Sequence, residues 1–343
     1  MALSSTKLDA YRQKVEESNI DRYENRFSNY GAFATYLDDT PNLIPGGAEF
    51  IANRKGEDRT ASFTVIKRES FSASSSRSCT AGTQDSTSAY VTPSWTTWKF
   101  AVMVVPSQYE NNNVTMQADF NHKMETLERT ILYDLDTAAV TSLEANISAV
   151  NNASGNPYTF ASSVSDVPNS GQEYFLNELT SQMMHNDLPT DPIQIIASPR
   201  FASYWDRYTN QGAGNSANTQ FQFGGKRVAY SNQITVATSD RDTVYAAPLG
   251  SYGFLNWIDP DARMNHVSGD GKEWFVQNLP KVGIDVGVLY QSTCADKSAL
   301  QGGLEATLTE SYSFSFDYMF TTAYNSTPST NPGTIFKYTL SKT

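Results

Sequence analysis

The chain has 343 residues, 36 acidic against 25 basic side chains and a net charge of −11, with 39% hydrophobic and 18% charged residues. That balance excludes wholesale disorder, which needs high charge and few aromatics. It also gives no electrostatic basis for non-specific attraction to nucleic acid or an anionic membrane.

The opening run, MALSSTKLDAYRQKVEES, lacks the apolar centre of a secretory signal, and no stretch of about 18 apolar residues is present to span a membrane. The sequons at Asn113, Asn146, Asn152 and Asn325 therefore read as chance matches, and the chain as cytosolic. Cys79 and Cys294 are too few for a disulfide framework or a four-cysteine zinc site, and read as free thiols.

Leu8, Tyr11, Val15, Ile20 and Phe27 predict an amphipathic helix over 7–30, which gives way to turn chemistry at Asp38-Asp39-Thr40-Pro41 and at Pro45-Gly46-Gly47. Basic and acidic residues nearly balance through residue 60, so this is a segment that lies on a neighbour or on the body of the fold, not a basic arm. Residues 60–105 predict a long β-hairpin. One side carries Phe63, Val65 and Ile66, the other Trp95, Trp98, Phe100, Val102 and Val104, and the tip at 72–88 is rich in Ser and Thr.

From Phe120 the apolar residues Met124, Leu127, Ile131, Leu135, Ala138, Ala139, Leu143, Ile147 and Val150 follow in steps of mostly three and four. They predict a spine helix of roughly 46 Å, at about 1.5 Å per residue. Lys123, Glu125, Glu128, Arg129, Asp134 and Asp136 are assigned to its polar face. A Gly/Pro/Ser/Asn-rich break at 151–168 precedes a helix over 171–185 and a buried strand over 193–197. Ser198 and Pro199 read as N-cap and first residue of a helix bearing Phe201, Tyr204, Trp205 and Tyr208. Residues 221–234 read as strand, turn, strand, and 243–258 as a strand with a Gly-containing turn. The last third is mainly β, with alternation at 282–288 and 312–320 and a closing strand at 335–340.

Chemistry-bearing motifs are sparse. SGDGKEW at 268–274 lacks the first Gly of a phosphate-binding loop and has Glu273 in place of its hydroxyl. His122, His185 and His266 are far apart in sequence, with no His or Cys three or four residues away, and no GxSxG elbow occurs. Asp38-Asp39 and Asp259-Pro260-Asp261 read as helix caps or turns. No catalytic residue, metal site or cofactor is expected.

The order arm, long hairpin, long spine helix, compact α/β region and β-rich close resembles the Hong Kong 97-type fold of tailed-bacteriophage major capsid proteins and encapsulin shells. IQIIASPRFASYWDRY at 193–208, FGGKRVAYSNQI at 223–234 and TVYAAPLGSYGF at 243–254 are similar to successive units of that family. The resemblance spans about residues 45–340 and implies an α+β fold in five parts: an N-terminal arm at 1–45, an extended β-hairpin loop at 46–106, a peripheral domain with the spine helix at 107–164, an axial domain at 165–270, and a β-rich return to the peripheral domain at 271–343. It implies a non-enzymatic shell protein that assembles with itself, as pentamers and hexamers, around double-stranded DNA that it does not read. Phe63, Val65, Trp95, Trp98 and Phe100 would make intersubunit contacts, and separate scaffold, portal and cement proteins are further partners to consider. The hairpin tip holds no Lys, although Lys67 and Lys99 flank it, so crosslinking is not carried over. An encapsulin that holds protein cargo, a β-rich adhesion or carbohydrate-binding protein, and an enzyme with no readable motif remain open at this point.

Overall fold

The computed structural model describes residues 3–18, 29–44, 63–65, 89–91, 94–110, 114–152, 157–211, 226–296, 306–325 and 328–342. Of the helix expected over 7–30 the structure describes a first part, and a second helix follows beyond residue 30. These are α1 (Leu3–Ser18) and α2 (Gly31–Leu43), and residues 19–28 lie outside the described residues. α2 runs through Asp38-Asp39-Thr40 and places Pro41 in its last turn. The acidic pair is therefore not a turn, and Asp39 has another use, described below.

The hairpin is also paired differently from the expectation. β1 (Phe63–Val65) pairs antiparallel with β2 (Ala89–Val91), Phe63 opposite Val91 and Val65 opposite Ala89. β3 (Thr96–Val104), expected to be the second side of that hairpin, pairs instead with β12 (Ala306–Thr322), Val104 opposite Glu310 and Thr96 opposite Tyr318. The hairpin tip at 72–88 lies outside the described residues.

The spine helix, α3 (Met116–Ala145), has 30 residues and starts four positions before Phe120. Thr115 caps it by accepting a 3.2 Å hydrogen bond from the Ala118 N–H, and Asp119 in the first turn favours the positive end of the helix dipole. It ends before the expected residue 150, because Ile147 leaves the helix for a bridge to Ile335. Phe120, Met124, Leu127, Ile131, Leu135, Ala139 and Leu143 are all buried, as the period requires.

Two sheets flank these helices. In the first, the order is β10 (Lys272–Leu279), β11 (Ile284–Asp296), β12, β3, with β9 (Tyr252–Trp257) also on β12. Asp317 faces Thr97 on one side and Trp257 on the other, so β9 lies on the same flank of β12 as β11. The main core packs α1, α2 and α3 against this sheet, with Val102, Phe254, Val286, Val288, Tyr312 and Phe314 among its buried residues.

The second sheet has the order β4 (Thr159–Ala161), β5 (Val164–Val167), β13 (Phe336–Ser341), β8 (Asp240–Pro248), β6 (Ile193–Ala197), β7 (Lys226–Tyr230). α4 (Phe175–His185) and Phe201 of α5 (Phe201–Gln211) cover it in a separate core. Three expectations change here. Ser198 does not cap α5, which begins at Phe201, because its hydroxyl donates to the buried Asp242 carboxylate. Residues 221–234 hold one described strand, β7, followed by a turn, while 212–225 lie outside the described residues. The closing strand β13 joins this sheet, parallel to β5 and antiparallel to β8, instead of returning with 271–322 to the first. The molecule is α+β, with helices packed on two mixed or antiparallel sheets.

Burial corrects the reading of α3 most sharply. Glu128 and Asp136, assigned above to the polar face, are fully buried. Glu128 accepts a 2.7 Å hydrogen bond from the Tyr11 hydroxyl of α1, and Asp136 accepts from the Phe33 N–H at 2.9 Å and from the Ser231 hydroxyl. Burial pushes the Glu128 pKa up to about 7, although Tyr11 and Lys281 oppose it, and pushes Asp136 up to about 6. The folded state thus keeps a proton on Glu128 that the unfolded chain releases near 4.5. That contribution to stability is present below 4.5, is lost as pH rises to about 7, and is level above. Glu128→Gln should remove it. The stability of wild type relative to the variant should fall by on the order of 3 kcal/mol between pH 4.5 and 7.5 in urea titrations, and a constant difference would contradict this account of Glu128.

Candidate assembly surface

The expected contact residues fall in two places. Phe63 and Val65 lie in β1, in a two-stranded sheet separate from the one that holds β3. Trp95, Trp98 and Phe100 lie on or just before β3. Trp95 packs against the small cluster of Ile44, Leu255, Trp257 and Met319, so part of its surface is already used within the chain. Trp98 stacks on Phe316 with ring centroids 5.6 Å apart and on Phe100 at 6.2 Å, and its indole N–H donates to Asp134 of α3 at 3.0 Å. Asp134, read as a polar-face residue, thereby orients the Trp98 ring.

Phe100 continues that stack outward and remains 48% exposed, while Met103 beyond it is 45% exposed. Both exceed what a core strand would leave open, because β3 is the last strand of its sheet and among the described residues pairs only with β12. Between β3 and α3 runs a groove of about 380 Å³, lined by Phe100, Val102, Met103, Lys123, Leu127 and Thr130, among others. Alternation along β3 puts Val102 and Val104 into the core.

Lys123 closes one end of this groove. Its ammonium lies 2.7 Å from Asp119 one turn earlier and donates to the Met103 carbonyl at 3.1 Å. Hydrogen bonds from Lys123 and Tyr109 hold the Asp119 carboxyl below the ordinary carboxylate range, and burial, reinforced by Asp119, pushes the Tyr109 phenol up to about 12. The rim is therefore charged and self-satisfied, and the floor is apolar. This pattern of an apolar centre inside a polar margin is that of a protein interface. The α3 wall is missing from the sequence reading, which places Lys123 on the polar face of the helix and gives Thr126 and Thr130 no role.

α1 lies beside this surface. Leu8, Tyr11 and Val15 are buried against α3, Lys7 pairs with Glu310 of β12, and the Gln117 side chain donates to the Lys7 carbonyl at 3.2 Å. The described part of the N-terminal segment therefore packs on the body of its own chain. Among the described residues no helix is long and apolar enough to cross a membrane, and no group of three His, Cys, Asp or Glu side chains could hold a metal ion.

No family model matches the sequence, and no curated protein matches it. Solved structures do match the chain path. The capsid of a native GTA particle aligns with a TM-score of 0.47 at 8% identity, covering 86% of this chain and 89% of that one. The capsid of the cyanophage P-SCSP1u aligns at 0.44 and 13% identity, covering 85% and 84%. The holo-SrpI encapsulin complex of Synechococcus elongatus aligns at 0.40 and 11% identity, covering 87% and 88%. These shells are what the chain is similar to.

Proposed function

We propose that this chain is a major capsid protein of the Hong Kong 97 type, which assembles with itself into an icosahedral head around double-stranded DNA. The observation that carries this reading is a pair of features that find no further strand partner among the described residues. One is β1–β2, which forms a sheet of its own. A lone two-stranded hairpin is marginal in water and needs a third partner. The other is the groove beside β3, whose outer edge pairs with no described strand, with Phe100 and Met103 exposed along it. Two unlike surfaces on one chain favour a heterologous contact, in which each copy offers one surface to a neighbour and the other to the next. Repeated around five- and six-fold positions, such a contact closes a shell.

In this reading residues 1–45 are the arm and 46–106 the extended loop, now ending in a strand that belongs to the body. The α3 layer with the β3–β9–β12 sheet is the peripheral domain, and the β4–β8 and β13 sheet the axial one. The net charge of −11 suits a wall past which a packaged polyanion slides without sticking. The head would assemble in the host bacterial cytoplasm, with separate scaffold, portal and cement proteins as further partners.

Replacing Phe100 and Met103 together by Asp places two charges where the neighbour would dehydrate them, at a cost of about 3 kcal/mol or more per contact. Sedimentation should then show the double variant as a slow, folded species under conditions in which wild type sediments as large particles. A double variant that still assembles like wild type would remove this surface from the proposal.

A further inference from the structure

The second sheet carries a feature that shell assembly does not explain. At the carboxyl ends of β5, β6 and β13, next to the start of β8, lies a cavity of about 340 Å³ lined by Gln172, Arg200, Ser203, Tyr204, Arg241, Asp242, Leu340 and Lys342. Its size falls within the roughly 300–1,000 Å³ of small-molecule sites. Three cations against one carboxylate leave an excess of two positive charges here, on a chain whose net charge is −11.

The cations are held in place by buried groups. Gln172, only 5% exposed, donates to the Ser341 carbonyl at 2.6 Å, accepts from the Arg241 guanidinium at 3.2 Å, and accepts the Tyr204 hydroxyl on its main-chain carbonyl. One buried amide thus ties together β13, β8 and α5 and aims Arg241. Lys342 is fixed by a 2.7 Å bond to the Thr238 carbonyl. Asp242 at the floor is 4% exposed, and the Ser198 hydroxyl donates to it. The exposed Arg200 guanidinium acts on Asp242 through space and makes no hydrogen bond or ion pair among the described residues. Its five donors point to an acceptor that the described residues do not supply.

We propose that this cavity is an oxyanion site for a phosphate-class dianion, held by Arg200, Arg241 and Lys342. Guanidinium forks bind tetrahedral oxyanions in a bidentate manner. The excess of two charges matches a phosphate group, which carries roughly −1.5 to −2 near pH 7. Asp242 sets the depth of entry, because its carboxylate keeps a second anion off the floor while the arginines face outward. The ligand is either free phosphate, alone or on a small molecule, or a phosphate of a nucleic-acid backbone.

Calorimetric titration of the full chain with potassium phosphate, against potassium chloride at equal ionic strength, tests the site. Phosphate should bind with one site per chain, and Arg200→Gln or Arg241→Gln should each weaken it by roughly tenfold or more, as loss of a charge-assisted hydrogen bond does. Unfolding midpoints of the two variants without phosphate, equal to that of wild type, show that the loss is local. A short DNA duplex that competes with phosphate, and loses affinity in the same variants, assigns the site to backbone phosphates; phosphate binding without competition assigns it to free phosphate or a small phosphorylated molecule. Equal heats for phosphate and chloride, or phosphate binding unchanged in both variants, would overturn the proposal.

Discussion

Asp39→Ala should destabilise the fold by about 4 kcal/mol, read as a lower urea midpoint of the unassembled chain. The carboxylate is fully buried and accepts main-chain N–H groups of Gly250 and Ser251 at 2.8 Å and of Tyr252 at 2.9 Å, with the Asn42 amide at 3.1 Å. These three successive N–H groups form the turn where the chain leaves the second sheet at Pro248 and enters the first at Tyr252. Gly250 adopts a φ of 81° there, which leaves its N–H turned toward α2 and away from either ladder. Alanine would strand all three donors in a dry site, each costing about 1–3 kcal/mol less whatever water recovers. A loss below about 1 kcal/mol would mean that the turn is held by its strands alone.

Gly31→Ala, at the other end of the same helix, should also destabilise, by about 3 kcal/mol. Helix propensity alone predicts the opposite sign, since Ala exceeds Gly by about 1 kcal/mol in a helix. Sterics should win, because a Cβ at Gly31 would lie 2.6 Å from the Tyr230 carbonyl oxygen and 2.7 Å from the Tyr230 nitrogen. Both atoms belong to the main chain where β7 ends, and the neighbouring Tyr30–Ser231 bridge and the 3.0 Å bond from the Asn232 N–H to Asn29 hold that approach. Neither side can yield by rotating a side chain. An unchanged or raised thermal midpoint would show that α2 can move away from β7. Together the two substitutions test whether α2, with Phe33 edge-on to Phe254 at 5.2 Å and Tyr36 near Tyr252 and Phe320, is the clip between the sheets.

The parts that were legible in the sequence are those whose burial follows one local period. Seven apolar positions of α3, from Phe120 to Leu143, and the alternation of Tyr312, Phe314 and Phe316 needed no knowledge of a partner. Pairing was not legible. Ala89-Tyr90-Val91 and the strand from Thr96 have the same β character, and only β12, more than two hundred residues later, decides which of them stays with β1. Buried carboxylates were hidden for a related reason. Glu128, Asp136 and Asp39 read as surface or turn residues because Tyr11, Ser231 and the Gly250 turn, which satisfy them, are distant in sequence. Of the β3 groove, proposed above as an assembly surface, the strand side is legible in the β alternation of Phe100 and Val102. The helix side is not, since a groove exists only once β3 and α3 are side by side.

Self-assembly into a closed container is tested by light scattering combined with negative-stain microscopy on the protein from its native source. Round, closed shells that contain DNA are expected, each many times the mass of one 37.9 kDa chain. Shells filled with protein would keep the assembly and overturn the DNA cargo. A stable 37.9 kDa monomer would contradict the account itself and leave the β3 groove as an exposed surface without a role.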